Sequence, residues 1–150
     1  MTSYGRSVTS NADSPWAVDT SVAVASLDAS HEAHDVCREV LVQRRPALAG
    51  HALFETFSVL TRLPAPFRLR PQSAVAVLDD AFPRRSWLSG GDQAALWPEL
   101  ARAGLGGGAV YDALVGWAAR SAGQILLTRD RRAERVYRAL DVPYELIGGS

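Results

Sequence analysis

Residues 124–141 read QILLTRDRRAERVYRALD, and the way this stretch divides decides the fold. QILLT is a continuous apolar run of strand length, whereas DRRAERVYRALD has the three-to-four-residue apolar period of an amphipathic helix. A strand that feeds directly into a helix is half of a βαβ unit, and the same alternation recurs along the chain. Trp16 to Val18 is a short apolar run broken at Asp19, Thr20 and Ser21, as a buried strand would be on turning into a helix. SHEAHDVCREVLVQR reads as an amphipathic helix with Val36, Val40 and Leu41 on one side and Ser30 as its N-cap. PALAG is a second strand, and HALFETFSVLTRL a helix with Leu53, Phe57 and Leu60 in phase.

Beyond the breakers of LPAPFRLRP, SAVAVLDDAF predicts a helix and RRSWLS a short strand. GGDQAALWPELARAG follows as a helix with Asp92 as N-cap, disturbed at Pro98 and stopped by GLGGG. AVYDALVGWAA is a further helix, and YELI a last short strand. There are no internal repeats. Strands alternating with helices define the α/β class: a central, mainly parallel sheet covered by helices on both faces.

At 150 residues, 47% hydrophobic and 21% charged, the chain has the make-up of one globular domain rather than a disordered segment. Residues 1–15 read as a polar tail and residues 16–150 as the domain. No apolar run reaches the roughly 18 residues of a membrane span. The polar start lacks the apolar centre of a signal peptide, so the expected location is the cytoplasm. Cys37 is the single cysteine and reads as a buried, inert thiol. The net charge of zero gives no hint of a polyanionic partner. All sixteen basic residues are arginine, however, and Arg120, Arg129, Arg131, Arg132, Arg135 and Arg138 crowd one C-terminal segment. Such a run is either a solvated helix face or a local phosphate-binding surface.

Four acids carry the chemical interest. Between Gly106 and Trp117 every residue is apolar, aromatic or glycine except Asp112. An ionised carboxylate in such surroundings needs a cation, a metal or a proton. The positive end of the helix dipole contributes only about 0.3–1 kcal/mol, too little to bury the charge alone. Asp19 follows the first strand and Asp130 the strand ILLT, so both sit where ligands gather in open parallel sheets if those strands are neighbours. Each could equally serve as a helix cap. Glu55 lies opposite Leu53, Phe57 and Leu60 on a stripe with His51, Ser58 and Arg62, which is either a surface or the wall of a polar cleft. There Arg62 would pair with Glu55 or meet a phosphate.

Other chemistries lack support. His31 and His34 have no further ligands to complete a closed zinc site. GLGGG has neither the lysine of a P-loop nor a preceding strand, and no GxSxG elbow is present. A set of carboxylates selects hard cations, Mg²⁺ or Mn²⁺, and such ions promote phosphodiester hydrolysis by activating water.

The series AVDTSVAVA, LFETFSVLTRL, AVYDALVGWAA and ILLTRDRRAERVYRALDVPYELI resembles the PIN domains, in particular the VapC-type ribonuclease toxins of bacterial toxin-antitoxin pairs. The resemblance runs from about Trp16 to Ile147. It implies a three-layer α/β/α fold and an acidic quartet of Asp19, Glu55, Asp112 and Asp130 that ligates Mg²⁺ or Mn²⁺ and catalyses RNA hydrolysis. It adds Ser21 and Thr128 as supporting hydroxyls, a homodimer, and a small antitoxin whose tail reaches the active site. Arg62, Arg129, Arg131 and Arg132 are the candidate contacts to RNA phosphates. Two alternatives stay open: a PIN-like module that binds RNA or protein without cutting, and a metal-dependent phosphohydrolase acting on DNA or small phosphate esters.

Overall fold

The structure is a computed structural model, and it describes residues 14–148. Most of the predicted polar tail therefore lies outside the described residues. Its last two residues already belong to the fold: Ser14 is buried with its hydroxyl on the Trp16 and Arg45 carbonyls, and the Pro15 carbonyl accepts from Ile125 N–H.

Strand β1 (Trp16–Val18) is followed by α1 (Thr20–Leu27), α2 (His34–Arg44), β2 (Ala47–Ala49) and α3 (Gly50–Leu60). Next come α4 (Pro71–Ala81), β3 (Arg85–Ser86), α5 (Gly90–Arg102) and α6 (Ala109–Ser121). Strand β4 (Ile125–Thr128), a 3-10 turn (Arg131–Ala133), α7 (Glu134–Ala139) and β5 (Tyr144–Leu146) complete the described chain.

The five strands pair in the order β3-β2-β1-β4-β5, every pair parallel. Ala17, Val18, Leu48, Leu126 and Leu127 are fully buried, as expected of strands covered on both faces. The chain steps outward from β1 to β3 on one side and from β4 to β5 on the other. Strand order thus reverses between β1 and β4, whose register aligns Val18 with Leu127. Right-handed crossovers in opposite directions put helices on opposite faces of the sheet, giving the three-layer arrangement.

Three helix starts differ from the sequence reading. Ser30 does not cap α2, because its N–H and hydroxyl are both held by the Asp28 carboxylate and the helix opens only at His34. Ser89, not Asp92, is the N-cap of α5. Asp92 sits three residues in and returns a bond to Ser89 N–H, so the pair forms a capping box. The helix then runs through Pro98. The segment after Asp130 begins as a 3-10 turn before becoming α7, since the Asp130 side chain caps the tighter turn through Arg132 N–H.

Candidate active site

The reversal of strand order brings the ends of β1 and β4 side by side, with Asp19 N–H bonded to the Leu127 carbonyl. Asp19 leaves β1 as the N-cap of α1 and is only 4% exposed. Its carboxylate receives four donors: Ser21 hydroxyl at 2.6 Å and Val22 N–H at 3.3 Å on Oδ1, Thr128 hydroxyl at 2.5 Å and Tyr137 hydroxyl at 2.9 Å on Oδ2. Burial pushes its pKa above the usual carboxylate value, and these hydrogen bonds pull against that rise. Ser21 also accepts from Arg129 N–H, and Thr128 from Asp130 N–H. The two hydroxyls thus stitch the β1 and β4 ends together around one acid.

The other three acids arrive from separate elements. Glu55 projects from α3 and accepts from the Thr20 hydroxyl at 2.7 Å. Asp130 follows β4 by two residues and caps the 3-10 turn. Asp112 lies in the first turn of α6, whose second half is buried while this end opens on solvent. All four line a single cleft of about 540 Å³, together with Thr20, Ser21, Phe54, Ser58, Val59, Arg62, Val115 and Tyr137. The stripe of Glu55, Ser58 and Arg62 is therefore a cleft wall.

Electrostatics identify Asp112 as the strained member. Its pKa is pushed up to about 6, first by burial and then by the negative charges of Asp130, Asp19 and Glu55, with Arg132 opposing. Among the described residues no hydrogen-bond donor or ion-pair partner touches it. Four carboxylates crowd one cleft with too little positive charge to balance them.

The candidate arginines separate in space. Arg62 lines the cleft and leans on Ser58 Oγ at 3.4 Å, not on Glu55. The Arg132 side chain is 97% exposed and lies 4.0 Å from Asp130, at the cleft mouth. Arg129 points away, its guanidinium bonded to the Ile147 and Gly148 carbonyls, which corrects its expected place facing a phosphate. Arg131 reaches Glu134 at 3.9 Å. Arg120 lies over the Trp117 ring, and Arg138 is tied to Glu134 and Tyr144. The C-terminal cluster is accordingly not one surface.

Two contributors were not legible in the sequence. Tyr137 reads as a core residue of α7, and only the packing of α7 against α6 shows that its hydroxyl ends on Asp19. Thr20 reads as a turn residue, and nothing local signals its bond to Glu55. The remaining polar candidates are absorbed by structure. His31 accepts from Ala33 N–H, His34 sits 2.9 Å from the Ala25 carbonyl, and Cys37 is a buried free thiol.

Among the described residues, no three acidic, histidine or cysteine side chains close on one point as a complete ion cage. The donors are oxygens, approaching from four elements across a cleft with room for water. This suits a small hard cation that keeps several waters and takes only one or two carboxylates directly. It does not suit zinc, which favours closed nitrogen and sulfur sets.

Carboxylates gather at the reversal point of this parallel sheet, and residues 17–139 match the model of the PIN domain. The chain belongs to the PIN-domain family. Its relatives there are of the VapC type. It is 45% identical over 128 residues to Ribonuclease VapC27 of Mycobacterium tuberculosis, covering 85% of this chain and 93% of the relative. It is 44% identical over 132 residues to Ribonuclease VapC40 of the same organism, covering 87% and 98%. The fold is shared with VapBC2 of Rickettsia felis, solved bound to a promoter DNA fragment, at a TM-score of 0.63, 16% identity and 87% and 97% coverage. It is also shared with the Mycobacterium tuberculosis toxin VapC20, described as cleaving the sarcin-ricin loop, at 0.62, 21% identity and 79% and 92% coverage. Among the described residues no helix is long and apolar enough to cross a membrane.

Proposed function

We propose that this protein is an endoribonuclease toxin of a toxin-antitoxin pair, hydrolysing RNA with Mg²⁺ or Mn²⁺ held at Asp19, Glu55, Asp112 and Asp130. The observation that carries the reading is the state of Asp112: raised to about 6 by burial first and then by three like-charged neighbours, with no ion-pair partner among the described residues. A divalent cation held there supplies the missing positive charge, acidifies water and offsets charge developing on the phosphodiester oxygens.

The protein's own groups have separable roles. Asp19 is fixed by four donors and serves as the immobile reference of the site. Glu55 is aimed by Thr20, and Asp130 by Arg132 N–H. Ser21 and Thr128 support Asp19 rather than touching substrate. Arg62 on the wall and Arg132 at the mouth are placed to hold phosphates of the bound strand, and Arg131, on the same 3-10 turn as Arg132, is a further candidate contact. Asp112 must lose its proton to hold the cation, so proton and cation compete there and the demand for Mg²⁺ grows as pH falls towards about 6.

Partners follow from kinship with VapC proteins: a small antitoxin covering the cleft, a homodimer as the assembled form, and the cytoplasm as the place of action. The deciding experiment is cleavage of a mixed cellular RNA pool by purified protein with Mg²⁺, Mn²⁺ or EDTA, beside Asp112→Asn. Metal-dependent cuts that vanish in the variant support the proposal. A folded, antitoxin-free protein that binds RNA without cutting would instead be a binding module, and preference for DNA or small esters would make it another phosphohydrolase.

A further inference from the structure

Along the exposed edge of α3 the acid cleft is bordered by rings. Phe54 is 60% exposed and is itself a wall of the cleft. Its ring touches Trp87, 52% exposed, at a centroid separation of 6.0 Å and a tilt of 52°. One turn earlier on the same helix, His51 stacks on Tyr111 at 5.7 Å and 19°, and Tyr111 is 53% exposed beside Asp112. Residues three apart on a helix share a face, so His51 and Phe54 join the two ring pairs into one strip.

The strip is held open by its backbone. A Cβ at Gly50 would lie 2.9 Å from the Trp87 ring and 3.0 Å from the Ser86 carbonyl, so glycine there lets the indole lie across the start of α3. Apolar rings left in water at the lip of a charged cleft mark a contact surface. What they contact is set by what the cleft holds. A phosphate at the acids carries its base on the adjoining sugar, within side-chain reach of Phe54. Aromatic faces stack on any unpaired base, and His51 and Tyr111 add polar edges suited to a nucleobase. The Phe54 and Trp87 rings already touch, so a base packs on their outer face, not between them.

Resting on the ribonuclease reading, we propose that Phe54 and Trp87, continued by His51 and Tyr111, form a stacking subsite for an unpaired base beside the scissile phosphate. The strip then selects RNA whose base next to the cut is free of its own helix, independently of the acids.

The test uses the full chain with Asp112→Asn, so that binding is read without cleavage, and a mixed-sequence single-stranded RNA oligonucleotide carrying 2-aminopurine at successive positions. Quenching at one position is expected, lost on adding Phe54→Ala and Trp87→Ala, with binding weakened roughly tenfold or more. Both side chains are largely exposed, so the fold should survive, and circular dichroism checks this. Gly50→Ala, which displaces Trp87, should reduce the quenching in part. In the otherwise wild-type chain, an abasic nucleotide at that position should slow cleavage, and the ring variants should erase the difference. Unchanged quenching and affinity in the double variant would overturn the subsite. If the same variant instead loses only its grip on a cognate antitoxin peptide, the strip is a protein-docking surface and the proposal falls. If no chain binds or cuts RNA at all, the ribonuclease reading fails and takes this one with it, whereas normal cutting with no ring effect sinks the subsite alone.

Discussion

The Tyr137 hydroxyl donates to Asp19 Oδ2 across 2.9 Å, from a helix that begins more than a hundred residues after the acid. The phenol is buried, and the nearby negative charge pushes its own ionisation further out of reach, so it remains a donor at every working pH. Tyr137→Phe keeps the ring and removes one of four donors. Groups that orient a metal-binding carboxylate are typically worth about 10–100-fold in affinity or activity. The Mg²⁺ concentration for half-maximal cleavage should therefore rise about tenfold while near-ultraviolet circular dichroism stays unchanged. An unaltered Mg²⁺ requirement would reduce the contact to packing.

Asp112 gives a pH dependence with a definite sign. Its folded pKa of about 6 lies above the ordinary 3.8, so the folded chain binds this proton more tightly than the unfolded one. The penalty is absent below 3.8, grows as pH rises towards about 6, and is complete above it. In EDTA, Asp112→Asn should melt higher than the parent at pH 7.5, and the gap should close on acidification. Mg²⁺ should raise the parent's melting temperature more than the variant's. Parallel melting profiles across pH would remove the like-charge account of this residue.

Thr20→Val tests the aim of Glu55 with little change of shape. Without the 2.7 Å bond, the half-buried Glu55 loses the hydroxyl that aims it in the cleft. RNA cleavage should fall by roughly tenfold, with thermal stability close to the parent's. Equal kcat/KM for parent and variant would show that Glu55 needs no such guide.

Gly116 lies where α6 crosses α7, and a Cβ there would meet Tyr137 at 2.9 Å and Val142 at 3.1 Å. Overpacking at such a contact costs about 1–3 kcal/mol. Gly116→Ala should lower urea stability by that amount and also reduce activity, because the ring it displaces carries the hydroxyl on Asp19. A loss of stability with full activity would mean that the helix yields instead of the ring.

Much of the architecture is readable from short apolar runs such as QILLT and PALAG, because a strand buried on both faces has little freedom in composition. Helix starts are less legible. Ser30 and Asp92 look like caps, yet Asp28 captures the first and Ser89 outcompetes the second, and both outcomes depend on local chain direction. In the site, Asp112 announces itself by being alone among apolar residues, and Asp19 and Asp130 by following strands. Glu55 is silent in periodicity, since a cleft wall and a solvent face have the same pattern. Arg129 misleads for a related reason: sequence shows its closeness to Asp130 but not that its side chain turns to the end of β5.

The pairing of β4 with β1 also sets when activity can begin. Asp19 and Thr128, 109 residues apart in sequence, share one hydrogen bond, and Asp130 and Tyr137 emerge later still. During translation the ribosome delivers Asp19 more than a hundred residues before these partners, so a chain halted in between holds isolated carboxylates and no assembled centre. The topology acts as a completion check: cutting power arrives in one step, once β4 has paired with β1.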